Sequence, residues 1–171
     1  ALAVAPDGKQ LLTAGDDGAV FSWTPASDKA ARRLTLKSQA VGAAFLPGGK
    51  EALVADGGVI YQVDLATNNV RKDEPADAGD FGGQPIDCLA LSADGRMAVV
   101  GMRDGMLATW DSSNNRILKW KGHPGGAAAV CFAPDGKRVA SGGADNLVKV
   151  CDLDAVVTPL LTLKRHTGVP V

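Results

Sequence analysis

The chain has 171 residues and a formal net charge of −1. That balance gives no sign of the basic footprint of a nucleic-acid binder or of a polybasic membrane contact, and no stretch is long and apolar enough to cross a bilayer as a helix. The three cysteines, Cys88, Cys131 and Cys151, are odd in number, lack metal-ligand spacing and sit in apolar runs, which points to buried free thiols in a reducing compartment, the cytoplasm, with the cytoskeleton or nucleus as alternatives.

The predicted elements are all strands. Residues 1–5, 10–14 and 19–23 form three, with a fourth, outer one near 32–37. Residues 41–46, 51–55 and 59–64 follow, with a short outer strand around 69–72. The third set is 86–92, 97–101, 106–110 and 116–120, and the last is 127–133, 138–141, 147–151 and 159–164. These runs are rich in Val, Ala, Leu and Ile and do not strictly alternate, as befits strands covered on both faces. Turns beginning at Pro6, Pro47, Ala93 and Pro134 recur at intervals of 41, 46 and 41 residues. Asp17-Gly18, Asp104-Gly105 and Asp145-Asn146 occupy equivalent places and supply the positive φ that a tight hairpin demands. A repeat of this length with four short strands marks the blades of a β-propeller. One blade cannot bury both faces of its own sheet, so the repeats must stack. The long connection 73–85 carries acidic and no basic residues and reads as a solvated loop or a partner contact.

In the fourth repeat Gly122-His123 is followed by Ser141, by the turn residue Asp145 and by Cys151-Asp152. Trp110-Asp111 stands in the third repeat and Trp23-Thr24 in the first. In this register the chain resembles the WD40 repeat family over essentially its whole length. The resemblance implies an all-β fold of about four four-stranded antiparallel blades, at roughly 1–37, 38–73, 85–121 and 122–164, with the start of a fifth at 165–171. Four blades are expected to be part of a seven- or eight-bladed propeller, with two copies completing an eight-bladed ring as the alternative.

The resemblance also implies a buried hydrogen-bonded network of His, Ser or Thr, Asp and Trp in each blade. The fourth repeat supplies His123, Ser141 and Asp145, with Cys151 in the Trp position. The first supplies Thr13, Asp17 and Trp23; the third supplies Asp104 and Trp110 but has Val100 at the hydroxyl position. The second supplies none, having Val54 and Val63. A Ser, a His and an Asp in one repeat also match the composition of a hydrolase triad. Ser141, however, falls inside a strand and not on a strained elbow, and no oxyanion donor is evident. No catalytic residue, metal site or cofactor is therefore expected.

WD40 proteins are predominantly platforms for protein–protein contact, through the residue before each turn Asp and the residues at the start of each inner strand. Carried over, this makes Asp16, Gln39, Asp87 and Arg103 a candidate protein-binding rim. The expected partners are other proteins, with no nucleic acid and no membrane. The second and third repeats, with the Pro47-Gly48-Gly49 turn and residues 89–95 and 101–105, are also similar to the second propeller of the actin-interacting protein 1 family. That similarity implies actin and cofilin as partners, and filament disassembly as the alternative to a general scaffold.

Overall fold

Three of the inner turns reverse the chain by one device. Each turn aspartate accepts a hydrogen bond from the backbone N–H two residues on: Asp17 from Ala19 at 3.0 Å, Asp104 from Met106 at 2.9 Å and Asp145 from Leu147 at 3.2 Å. The next residue, Gly18, Gly105 or Asn146, takes a φ of 72°, 84° or 60°, so the strands on either side pair antiparallel. The computed structural model describes residues 1–25, 30–36, 39–67, 69–73, 81, 83–114, 116–155, 159–164 and 167–169. Among them there is no helix, and the strands form four four-stranded sheets in chain order.

The first sheet contains β1 (Leu2–Val4), β2 (Leu11–Ala14), β3 (Ala19–Trp23) and β4 (Ala30–Thr35). The second contains β5 (Ala40–Phe45), β6 (Glu51–Asp56), β7 (Val59–Asp64) and β8 (Val70–Asp73). The third contains β9 (Ile86–Leu91), β10 (Met97–Met102), β11 (Met106–Asp111) and β12 (Arg116–Lys121). The fourth contains β13 (Ala127–Phe132), β14 (Arg138–Gly143), β15 (Val148–Asp152) and β16 (Pro159–Leu163).

The chain divides into two compact units, Ala1–Gly83 and Gln84–Val171, each holding two sheets. In the first unit Leu12, Ala14 and Val20 pack with Ala52, Val54 and Val63 of the second sheet. In the second unit Val99, Leu107 and Trp120 of the third sheet pack with Ala127, Val139 and Cys151 of the fourth. Stacking thus covers faces that a lone four-stranded sheet would leave in water.

Three inner strands begin with an extra residue. Ala40 and Gly42 face Asp56 and Ala55; Ile86 and Cys88 face Met102 and Gly101; Ala127 and Ala129 face Gly143 and Gly142. Val41, Asp87 and Ala128 are therefore bulged. A bulge bends its strand and re-aims the side chain it adds.

Several expectations are corrected. β14 was expected to stop at Ser141, but Gly142 and Gly143 stay in the sheet, paired with Ala129 and Ala127. A side chain at 143 would overlap the His123 ring, so this glycine serves close approach and not a turn. The outer strand of the first sheet lies at Ala30–Thr35, two residues before the expected 32–37. Of the three cysteines, all free, Cys151 is buried, Cys88 is half-buried and Cys131 is exposed. Cys131 pairs with Ala140, and strand alternation turns both away from the side that carries Val139 and Ser141. Of the 73–85 connection, residues 74–80 and 82 lie outside the described residues, as do 165, 166, 170 and 171 of the expected fifth blade.

Candidate functional site

The polar groups of interest fall into a buried set in the fourth sheet and an exposed set at the strand starts. His123 enters from the β12–β13 connection. Its backbone N–H and that of Gly122 both donate to the Gly105 carbonyl, at 2.9 and 3.0 Å. Gly105 must be glycine for this, since a Cβ there would overlap the His123 carbonyl. The His123 ring is then held between two side chains. Nδ1 is 2.7 Å from Asp145 Oδ1, and Nε2 is 2.8 Å from Ser141 Oγ. With Asp145 ionised, Nδ1–H donates to the carboxylate and Nε2 accepts the Ser141 hydroxyl proton. Burial alone would raise the Asp145 carboxyl. The His123 hydrogen bond, the Leu147 N–H and Lys149 outweigh it and hold Asp145 below the ordinary carboxylate range.

Ser141, His123 and Asp145 are thus in the contact order of a hydrolase triad, but the arrangement is closed. His123 is 1% and Ser141 3% exposed. Ser141 sits in mid-sheet, opposite Val130 on one side and Lys149 on the other. Buried this deeply, the three side chains act as a clamp between the turn and the connection.

The other sheets carry fragments of this network. In the first, Trp23 Nε1 donates to Thr13 Oγ1 at 2.8 Å, while Asp17 closes its own turn. In the third, Asp104 closes its turn and Trp110 lies buried in β11 between Ala98 and Ile117. In the second, Val54 and Val63 are fully buried and apolar.

Two residues were missed by sequence reasoning. Trp120, from β12, packs in the cluster that contains Cys151 and occupies the side of the fourth sheet where an indole at 151 would otherwise lie. Its buried Nε1 has no hydrogen-bond partner of good geometry; the thiol of Cys151 is the polar group it approaches. Lys149 donates from Nζ to the Gly122 carbonyl and lies 3.4 Å from Asp145 Oδ2. The available signal was position: Lys149 follows Asp145 by four and precedes Cys151 by two.

The four candidate rim residues form two bonded pairs, one in each unit. Gln39 Nε2 donates to Asp16 Oδ1 at 2.8 Å. Arg103 donates from Nη2 and Nε to Asp87 Oδ1, at 2.8 and 3.2 Å. Asp87 is the bulged residue of β9, which is why it can turn toward the β10–β11 turn. The Arg103 side chain remains 65% exposed, leaving donors of its guanidinium to solvent. Among the described residues no group of His, Cys, Asp and Glu is arranged to hold a metal ion.

Successive four-stranded antiparallel sheets, bulged inner strands and a His–Ser–Asp clamp between turn and connection define the blades of a β-propeller. The chain belongs to the WD40 family: the "WD domain, G-beta repeat" family model matches residues 1–24, 79–111 and 114–152, more than half of the sequence. The unmatched stretch contains the second sheet, the one with apolar residues in place of the network. The chain is also 38% identical over 66 residues to Protein groucho of Drosophila melanogaster, a segment that is 38% of this chain and spans only 9% of that protein.

Proposed function

We propose that this protein is a non-catalytic scaffold for protein–protein interaction, and that Asp16, Gln39, Asp87 and Arg103 belong to its contact rim. One observation carries the reading. The residues that could do chemistry, Ser141, His123 and Asp145, are spent inside the fold, whereas Asp16, Gln39 and Arg103 stand exposed on turns and connections, bonded as Gln39–Asp16 and as Arg103 with the half-buried bulge residue Asp87. Loops on a rigid frame are where recognition residues concentrate. Membership of the WD40 family and the similarity to Protein groucho support the same class. The three free cysteines support a reducing, cytoplasmic location. The actin and cofilin reading rests on the resemblance of the second and third repeats alone.

The test is affinity purification of the intact protein beside an Asp16→Lys/Arg103→Glu variant. A reproducible partner set that is lost from the variant, at unchanged melting temperature, is the expected result. Retention of every partner by the variant would remove the rim assignment.

A further inference from the structure

The fourth sheet lacks the tryptophan that anchors a hydroxyl in the first, yet its clamp is the most complete of the four. In the first sheet the donor is Trp23 Nε1, bonded to Thr13. In the fourth, Cys151 stands at that position and Ser141 meets only His123. The residue directly across from the hydroxyl position is Phe21 in the first sheet, Tyr61 in the second and Ala108 in the third. In the fourth it is Lys149, across from Ser141. Its side chain is only 15% exposed, and an ammonium is rarely withdrawn from water unless it is paired.

We infer that Lys149 is the positioning residue of the 122–126 connection: it ties the Gly122 carbonyl to Asp145 and so sets the loop that the fourth blade contributes to the rim. The ammonium serves two groups at once. A hydrogen bond holds the loop backbone at Gly122, and an ion pair at 3.4 Å places the positive charge beside Asp145 Oδ2, a buried oxygen that no hydrogen bond reaches. Asp145 Oδ1 holds the next residue, His123. One carboxylate therefore fastens two consecutive loop residues, His123 directly and Gly122 through Lys149. Beyond this anchor the loop closes on itself, with Gly126 N–H donating to the His123 carbonyl at 3.2 Å and the Gly126 carbonyl accepting from Ala144 at 3.0 Å. Pro124 and Gly125, at its tip, are exposed. Gly125 and Gly126 have φ values of 88° and 124°, so beyond the Pro124 ring no side chain stiffens this tip and its place is set from the base.

The functional part of this inference rests on the rim reading; the positioning part does not, and it is tested without a partner. In the 15N-labelled intact protein, Lys149→Met should raise amide exchange at Gly122, His123 and Gly126 by about tenfold or more, the effect of losing one charge-assisted hydrogen bond. It should also shift the His123 ring-nitrogen resonances, while exchange in β9–β11 stays at its original level. Lys149→Arg, which keeps the charge and donors, should restore protection at Gly122 and His123. If Lys149→Met does not fold, Asp145→Asn carries the test: weakening the common anchor should open Gly122 and His123 together. Unchanged exchange at Gly122 and His123 in Lys149→Met, or exchange raised equally throughout the unit, would overturn the assignment. Loss of partner binding in the Asp16→Lys/Arg103→Glu variant bears only on the rim.

Discussion

A single residue type, aspartate, does two jobs in this protein. At Asp7, Asp64, Asp94, Asp111, Asp135 and Asp152 it closes a turn, accepting from the N–H two residues on. At Asp145 the same turn bond is joined by His123 and Lys149, so closing the turn also fastens a connection from the neighbouring sheet. The Ser141 hydroxyl is the far end of this chain. Ser141→Ala is expected to cost about 1–3 kcal/mol, because His123 Nε2 is left buried without a partner. Ser141→Thr, matching Thr13, should recover most of that in chemical denaturation. The carboxylates set the acid limb. Asp145, Asp94, Asp111 and Asp135 are all held below the ordinary carboxyl value of 3.8 when folded. The unfolded chain therefore binds more protons as the pH falls, and their stabilisation, complete well above pH 3.8, is lost from that point downward. Asp145→Asn should lower stability near neutral pH and flatten its decline between roughly pH 5 and 2, measured by denaturant midpoint against pH.

At the scale of the element, strands and pairing order were legible because Asp-Gly turns and apolar runs recur at a fixed spacing. What was not legible follows from contacts made between strands and between sheets. The bulges at Val41, Asp87 and Ala128 appear only when an inner strand is matched with its neighbour. Without them Asp87 and Arg103 are two separate rim charges; with them they are one bonded pair. Gly142 and Gly143 look like a turn until the His123 ring is placed beside them. Trp120 belongs to the third repeat by sequence, yet it packs beside Cys151 of the fourth. The cysteines were misread as equivalent for the same reason, since an apolar run does not say which face a neighbour covers. Their reactivity should differ accordingly. Burial pushes the Cys88 thiol up to about 11 and also raises Cys151, leaving Cys88 with about a hundredfold less thiolate than an ordinary cysteine. In the native chain iodoacetamide at pH 8 should modify Cys131 first, with Cys88 and Cys151 following only on unfolding; mass mapping of a time course decides it. Early modification of Cys151 would contradict its place beneath Trp120.

Over the whole molecule, apolar surface is unevenly distributed. Each unit buries the faces between its two sheets, but Leu2 and Val4 on β1, and Leu160, Leu161 and Leu163 on β16, are exposed. Exposed apolar groups clustered on one strand mark a surface that another body can cover. Of the other outer strands, β12 carries Arg116, Lys119 and Lys121. Charges of this kind discourage edge-to-edge pairing. β16 has none; it relies on Pro159, which has no N–H to offer, and on Leu160, bulged against Val150 and Cys151. Leu161, directly opposite Val150, is half exposed, so the geometry gives a definite expectation. Leu161→Lys should change stability by no more than about 0.5 kcal/mol, the usual range for a surface substitution away from packing. It should also reduce binding of a hydrophobic dye by the native protein. A loss of about 2 kcal/mol or more in denaturant unfolding would mean instead that a body packs over β16 in solution, because only a covered leucine carries a burial cost of that size.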